Sequence, residues 1–318
     1  MLIVQIDISK QAKILITGAS GFVGAHVAKF FSEKGFFVVS GGFKNSLAQE
    51  VQRASDAFVS VDLSDKDACR LLLANVKPDV IVHAAALADV AACEKSKEQA
   101  FLINTQATRN IAEEVSRYPH MKLIFFSTDL VFDGGIAPEM GFSEFDSVSP
   151  LSSYAKSKSE AEQLVLSLSE HSSVLRLSLV YGPLIGEKGG FLKWMMEQGA
   201  NGKQVSLFVD EWRTPVWIDD VCRSVFALAS KSFKTHRVFH AAGASRLSRY
   251  EFGLKLFGAL GYSSDLLLPV LQSDFPYQAP RPKDVSLSVV HTQKELGFEF
   301  LNPDNGISKF IERLLHST

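Results

Sequence analysis

A glycine-rich segment between a short apolar run and a helical pattern restricts the possible folds of this chain more than any other feature. Lys13 to Thr17 has the β-branched, apolar character of a buried strand, and a helical pattern extends to Gly35. Glycines at G-x-x-G-x-x-G spacing lie between them, and such a turn lets backbone approach a pyrophosphate at the positive end of a helix dipole. A tight turn with no ligand is the alternative. We predict a dinucleotide site formed by Gly18, Ser20, Gly21, Phe22, Val23 and Gly24.

Strand and helix patterns alternate through the first half of the chain. Further strands are predicted at 36–39, 57–61, 80–83, 122–127 and 174–180, and helices at about 47–54, 66–75, 97–118 and 154–169. Strands that are apolar throughout indicate a parallel sheet covered on both faces. We expect an α/β fold, a Rossmann-type doubly wound parallel sheet with a smaller C-terminal α/β substrate-binding region.

The pattern changes after Tyr181, where glycine and proline become frequent and helices no longer alternate regularly with strands. We therefore assign residues 1–181 to a Rossmann domain that binds NAD(P). Residues 182–318 form mostly the substrate-binding region, with about 215–242 returning to the Rossmann domain.

Composition excludes several classes of protein. The chain has 318 residues, 46% apolar residues and a formal net charge of −2, so no broad positive field favours nucleic acid or an anionic membrane. No apolar run approaches the length of a membrane span, and no targeting segment is visible. The three cysteines, Cys69, Cys93 and Cys222, lack metal-ligand spacing, which argues against a metal site and favours a reducing compartment. We expect a soluble, cytoplasmic protein.

The end of the second predicted strand bears on the choice of cofactor. NAD-binding proteins of this class usually place a carboxylate there to hold the ribose 2′-hydroxyl. Residues 39–44 contain no carboxylate, whereas Ser40 and Lys44 are able to accept a 2′-phosphate. NADP(H) is therefore preferred and NAD(H) stays open. The alternative for Lys44 is a solvated loop lysine.

Tyr154 and Lys158 lie four residues apart on a predicted helix, so they share one helical face. A close ammonium favours the phenolate and lowers the phenol pKa, which suits proton transfer at a carbonyl. Taken alone, such a pair is usually a surface pair. Ser127-Thr128-Asp129, however, follows an apolar strand, and ligands of open parallel sheets bind at the carboxyl ends of strands. Thr128 is thus placed to hydrogen-bond the reacting oxygen.

Together these motifs resemble the extended short-chain dehydrogenase/reductases. Within that family, Ser-Thr-Asp-Leu-Val-Phe-Asp-Gly at 127–134 resembles the dTDP-4-dehydrorhamnose reductase branch. The resemblance extends from Lys13 to about Phe310. The other segments that carry it are Asp62-Leu63, His83 to Ala86, Asn104, Arg176, Val180 to Pro183, Arg213 to Pro215, Asp219 to Val221, Arg281-Pro282 and Ser286-Leu287.

The resemblance implies a role for each catalytic residue. Tyr154 is the general acid that protonates a keto oxygen, Lys158 holds the nicotinamide ribose, and Thr128 orients the carbonyl. The remaining cofactor-side residues are Asp62 and Leu63 at the adenine, Ala84, Ala85 and Ala86 at the ribose and phosphates, and Asn104, which supports the helix or a nearby water.

Four residues are candidates for the substrate side: Asp129, Trp212, Arg213 and Arg281. An arginine can bind a diphosphate through two nitrogens at once, and an aromatic ring can stack on a base. The alternatives are packing for a tryptophan and an interdomain ion pair for Arg281. The chain departs from the branch at Leu130, where tyrosine is usual, and at 177–180, where a Thr-Ser-Trp-like segment is usual. Both positions lie near the sugar in that branch, so these departures concern the substrate.

Three functions remain in competition. The first is an NADP(H)-dependent reductase of a nucleotide-linked keto-sugar, a small-molecule substrate. The second is a nucleotide-sugar epimerase or dehydratase, which often has a glutamate after Ser-Thr-Asp where this chain has Leu130. The third is a regulatory subunit without turnover, because the chain also resembles the β subunit of methionine adenosyltransferase. A homodimer stays open.

Overall fold

The computed structural model describes residues 12–43, 45–135, 137–186, 190–233, 236–275 and 279–316. Its strands are β1 (Lys13–Thr17), β2 (Phe37–Gly42), β3 (Ala57–Ser60), β4 (Val80–His83), β5 (Lys122–Thr128), β6 (Ser172–Leu177), β7 (Val180–Tyr181), β8 (Val205–Phe208), β9 (Trp212–Arg213), β10 (Val216–Trp217), β11 (Val238–Ala241), β12 (Leu247–Ser248) and β13 (Leu267–Val270). Its α-helices are α1 (Phe22–Glu33), α2 (Gln49–Arg53), α3 (Lys66–Val76), α4 (Val90–Lys95), α5 (Lys97–Phe101), α6 (Ala107–Val115), α7 (Ser153–Leu168), α8 (Gly190–Ala200), α9 (Ile218–Ser230), α10 (Arg249–Leu260), α11 (Val290–Leu296) and α12 (Pro303–Leu315).

Seven parallel strands form the central sheet in the order β11-β6-β5-β4-β1-β2-β3. The order reverses between β1 and β4, where Thr17 is in register with His83. A topological switch point of this kind leaves a crevice at the carboxyl ends of the strands. The predicted fold class is confirmed: this is a Rossmann-like α/β sheet with flanking helices.

Apolar side chains are buried on both faces of the sheet. Ile14 and Ile16 pack into one core with Val27 of α1, and Leu15 lies in a second core on the opposite face with Ile81. Helix α1 packs against α9 on the first face, whereas α6 packs between α3 and α7 on the second. Burial on both faces explains why these strands are apolar throughout rather than alternating.

Two predicted elements differ in detail from the structure. The helical stretch predicted at about 97–118 contains a π-helical turn at Leu102–Gln106, between α5 and α6. The strand predicted at 174–180 ends at Leu177, and β7 pairs instead with β10. Because β10 lies far along the chain and outside the central sheet, no local pattern predicts this change of partner.

Shorter strands build the C-terminal region. Strands β8 and β13 pair in parallel, and β9 pairs with β12 in antiparallel fashion. The second pairing sets Trp212 opposite Ser248 and so brings residues 211–213 beside Arg249 at the start of α10. Strand β11 pairs with β6 and places residues 238–241 in the central sheet.

Among the residues described, no helix is both long and apolar enough to span a membrane. The same residues contain no group of three or more histidine, cysteine or acidic side chains that could hold a metal ion.

Candidate active site

A pocket of about 590 Å³ lies at the carboxyl ends of β1, β4, β5 and β6. Its lining combines the glycine turn, the segment after β4, the residues after β5, the start of α7 and a loop near residue 280. We call the part formed by Gly18, Gly21, Phe22, Val23 and Gly24 the glycine end. The opposite part, formed by Arg213, Arg249 and Arg281 around the buried Glu211, is the arginine end.

Backbone packing forms the glycine end. Gly18 has φ of +70°, and a Cβ there would lie 2.5 Å from the backbone nitrogen of Ala85. A Cβ on Gly24 would lie 2.4 Å from the carbonyl oxygen of Gly18. Gly21 precedes α1 with no side-chain cap, so the first amides of the helix keep their donors for a ligand. This cradle, which any side chain would fill, fits a dinucleotide pyrophosphate.

Not all of the predicted cofactor residues line the pocket. Ala84 and Ala86 do, whereas the amide of Ala85 donates to the hydroxyl of Thr17 at 3.3 Å. Ser20 is half-buried outside the lining. The Asp62 carboxylate accepts from the amide and hydroxyl of Ser64, and Leu63 is buried in the second core.

The structure corrects two predicted contacts. Ser40 is fully buried, and its hydroxyl pairs with that of Ser55 at 2.7 Å, so it does not face a 2′-phosphate. Lys44 lies outside the described residues. Asn104 is also fully buried, and its amide bonds both the N–H and the C=O of Leu87 and the hydroxyl of Ser157. Asn104 therefore supports the chain beneath the pocket, the role that the resemblance implied, and its place among the cofactor-binding residues is not supported.

The three predicted catalytic residues meet in the pocket. Thr128 at the end of β5 and both Tyr154 and Lys158 of α7 belong to its lining. Ser152 caps α7 by accepting from the amide of Ala155 at 3.2 Å, which fixes the start of this helix beside β5. The Thr128 hydroxyl donates to Asp129 at 3.1 Å, and the same residue lowers the pKa of the Tyr154 phenol.

The predicted lowering of the Tyr154 pKa is wrong. Burial raises the pKa of this phenol above its ordinary value, the Asp129 carboxylate raises it further, and Thr128 opposes them only in part. Lys158 does not reverse this, because burial lowers the pKa of its own ammonium to about 7. Its Nζ lies 4.0 Å from the ring centroid of Phe125. Near neutral pH the phenol is protonated and the lysine is partly neutral.

A buried ion pair adjoins Lys158. Glu162, one turn further along α7, binds Arg176 of β6 through two hydrogen bonds of 2.9 and 2.8 Å. The Glu162 carboxylate favours the charged form of Lys158 and so opposes the lowering of its pKa by burial. Sequence reasoning noted Arg176 only as part of the resemblance and missed Glu162.

The arginine end contains two residues that sequence reasoning missed, Glu211 and Arg249. Glu211 is 0% exposed and binds Arg249 at 2.8 Å, Arg281 at 2.9 Å and Arg213 at 3.4 Å. Arg213 also approaches Asp129 at 3.5 Å. The predicted residues Arg213, Arg281 and Asp129 thus do lie together at the pocket. A glutamate before a Trp-Arg segment carries no local signal for this role.

Trp212 does not belong to the pocket lining. The guanidinium of Arg246 lies 3.8 Å from the centroid of its ring, and Arg246 in turn binds Asp284 at 2.7 Å. One face of the indole is therefore covered, and the predicted stacking of this side chain on a substrate base is not supported.

Apolar side chains form part of the pocket wall. Leu130 and Leu151 belong to the lining that also contains Tyr154, as do Leu177 and Leu179 at the end of β6 and just after it. These leucines include the two sites at which the chain departs from the resembling branch. Apolar side chains in the wall lower the local polarity, which strengthens charge interactions there.

Known proteins resemble this chain in sequence and in fold. The sequence profile of the family described as RmlD substrate binding domain matches residues 12–316. A dTDP-4-dehydrorhamnose reductase of Aggregatibacter actinomycetemcomitans is 28% identical over 298 residues, covering 91% of this chain and 94% of that protein. Methionine adenosyltransferase 2 subunit beta of Rattus norvegicus is 31% identical over 280 residues, covering 86% and 80%. The structure of a dTDP-4-dehydrorhamnose reductase from Bacillus anthracis in complex with NADP matches with a TM-score of 0.79 at 24% identity, covering 95% and 99%.

Proposed function

The chain belongs to the RmlD substrate-binding-domain family, as its sequence motifs predicted, and we propose that it is an NADP(H)-dependent reductase of a nucleotide-linked keto-sugar. Its reductase relatives support the more general part of this proposal, an oxidoreductase that uses a nicotinamide nucleotide. The nature of the sugar and the roles of individual residues are the finer part of the proposal.

One observation carries the proposal: Tyr154, Thr128 and Lys158 line the same pocket as the glycine end. A reductase needs a proton donor beside the carbonyl that receives a hydride, and it needs both within reach of one bound dinucleotide. Hydride transfer to that carbonyl carbon is the chemistry a nicotinamide supplies when bound. The glycine end would hold the pyrophosphate, with Ala84 and Ala86 along the ribose and phosphates.

Tyr154 would donate the proton to the keto oxygen. The phenol is protonated at neutral pH, so its proton is available to an oxygen that gains negative charge in the reaction. Thr128 would orient the carbonyl by turning its hydroxyl proton from Asp129 to the keto oxygen. Lys158 would hold the nicotinamide ribose and, in its charged form, favour loss of the proton from Tyr154.

The preference for NADP(H) rests on the end of β2. Residues 40–43 contain no carboxylate that would repel a 2′-phosphate, and Lys44 follows directly. The Bacillus anthracis reductase with a similar fold is a complex with NADP. Ser40 no longer contributes to this argument because its hydroxyl is buried against Ser55.

The test is oxidation of NADPH, followed by its absorbance with a panel of nucleotide-linked 4-keto sugars. Tyr154→Phe keeps the ring but removes the donated proton, so turnover should fall roughly 10²- to 10⁴-fold while NADPH affinity stays unchanged. Tyr118→Phe removes a phenol outside the pocket lining and serves as the matched control. Turnover like the wild type in Tyr154→Phe would remove this residue as the acid.

A regulatory subunit without turnover is the second candidate. The 31% identity with methionine adenosyltransferase 2 subunit beta supports it, since both functions would keep the cofactor pocket. NADPH binding with no oxidation across the whole panel, together with co-elution with a methionine adenosyltransferase catalytic subunit, would favour this function over the reductase.

A further inference from the structure

We propose that Glu211 is a positioning residue. It holds Arg249 and Arg281 in the pocket wall so that both guanidinium groups bind the diphosphate of the substrate. This inference rests on the proposed function, because it assumes a substrate that carries such an anion. Neither Glu211 nor Arg249 was among the residues predicted from sequence.

The contacts of Glu211 divide between its two oxygens. Oε1 accepts from Nε of Arg249 at 2.8 Å. Oε2 accepts from Nε and Nη2 of Arg281 at 3.1 and 2.9 Å. One carboxylate therefore fixes two guanidinium planes, and both arginines belong to the pocket lining.

Aromatic rings restrict the same two arginines further. The guanidinium carbon of Arg249 lies 4.8 Å from the centroid of Phe191, and that of Arg281 lies 5.6 Å from the centroid of Phe208. A planar cation between a ring and a carboxylate loses little additional freedom when it binds a phosphate. Pre-ordering of this kind is what a positioning residue contributes.

Arg213 is used differently. It is 4% exposed, its Nη1 donates to the carbonyl of Trp212 at 2.7 Å, and its other nitrogens approach Asp129 and Glu211. The structure thus assigns Arg213 to the scaffold of the arginine end and assigns recognition of the anion to Arg249 and Arg281. Asp129 connects this scaffold to Thr128 and the catalytic residues.

Glu211 remains a fixed anion over the working pH range. Burial alone would raise the pKa of its carboxyl, but Arg249, Arg213 and Arg281 together lower it to about 2. The cluster contains three guanidinium groups and the two carboxylates of Glu211 and Asp129. Its net charge is therefore positive even when Asp129 is ionised.

Because of this charge balance, the direction in which removal of the Glu211 charge changes the affinity for an anion tests the proposal. If Glu211 only neutralises the arginines, removal of its charge should tighten binding of an anion. If Glu211 positions them, Glu211→Gln should weaken binding, because the introduced amide presents an NH₂ donor to one of the two guanidinium groups and can no longer hold it.

Calorimetric titration of thymidine diphosphate into the full-length protein saturated with NADP⁺ measures whether the Kd rises or falls. We expect Glu211→Gln to raise the Kd about tenfold or more, with the Kd for NADP⁺ close to wild type and a cooperative thermal transition retained. Asp210→Asn is the matched control: it removes the neighbouring charge, whose carboxylate contacts Gln272 and Lys283. Its Kd should stay within about twofold of wild type.

Unchanged or tighter binding in Glu211→Gln would overturn the proposal. Should that variant fail to fold, Arg249→Gln leaves Glu211 in place and removes one of the two guanidinium groups. A wild-type Kd for thymidine diphosphate in Arg249→Gln would equally overturn the proposal.

Hydrogen exchange of the arginine Nε–H groups, followed by NMR, separates the inference from the proposed function. Wild-type protein that does not bind thymidine diphosphate would count against the nucleotide-sugar substrate. Slow exchange at Arg249 and Arg281 that becomes fast in Glu211→Gln would still support positioning, and equal exchange in both would refute it.

Discussion

The two ends of the pocket are built in opposite ways. At the glycine end the backbone of one continuous segment, residues 17–24, forms the site, and the essential property of Gly18 and Gly24 is the absence of a side chain. At the arginine end the site consists of side chains from separate segments, at 129, 211–213, 249 and 281, which the antiparallel pairing of β9 with β12 helps to bring together.

Specificity for the substrate follows from this contrast. A backbone cradle recognises what all dinucleotides share, because every L-residue offers the same amide groups. A cluster of side chains can change with each substitution, so it is suited to distinguishing substrates. Thr128, Tyr154 and Lys158, the proposed catalytic residues, line the same pocket as the two ends.

The largest effect is expected at the glycine end. Gly18→Ala places a Cβ 2.5 Å from backbone at a φ of +70°, so NADPH binding should be lost and stability should fall by about 3 kcal/mol or more. Gly35→Ala is the control: its φ of +78° is equally positive, but nothing lies within 4 Å. It should cost about 1–2 kcal/mol and leave NADPH affinity intact. NADPH affinity that survives Gly18→Ala, measured by fluorescence titration, would contradict a side-chain-free cradle.

A large pH effect is expected from Lys158, between the two ends. The folded-state pKa of its ammonium lies near 7, below its ordinary value of 10.5, so between these values the unfolded chain binds more protons and wild-type stability rises with pH. Lys158→Met lacks this rise. Its stability advantage over wild type should therefore shrink by about 3 kcal/mol from about pH 6 to about pH 9 in urea melts. A constant difference would show that Lys158 is not buried as a titrating cation.

A smaller effect is expected at Lys44, which remains a predicted contact of the 2′-phosphate now that Ser40 is excluded by its bond with Ser55. Lys44→Glu sets a carboxylate against the 2′-phosphate, so the Kd for NADPH should rise about 10- to 100-fold and that for NADH much less. NADH binding is the internal control. Equal losses for both nucleotides would remove Lys44 from the cofactor site.

The smallest effect is expected at Trp212, beside the arginine end. Because Arg246 covers its ring, Trp212→Phe should change the KM for the keto-sugar by no more than about twofold. A KM raised by about tenfold or more in steady-state assays would mean that the indole contacts the substrate after all.

Local patterns predicted much of this molecule correctly. The strands from Lys13 to Thr128 follow runs of apolar residues, and the location of Tyr154 and Lys158 one turn apart on α7 follows from helical spacing. The predictions failed where burial changed the chemistry. Ser40 and Asn104 are fully buried and bonded to protein groups, and the pKa of Tyr154 is raised rather than lowered. Burial depends on how the whole chain packs, so the spacing of residues in the sequence does not predict it.

The parallel sheet, the glycine turn and the family could all be predicted from the sequence, because each depends on residues close together in the chain: apolar runs, glycines at fixed spacing and one helical turn. The arginine end exists only through the tertiary fold. Glu211 meets Arg249 and Arg281 across 38 and 70 positions. Contacts at such separations depend on loop closure and strand pairing far from either residue, and no local pattern carries that information.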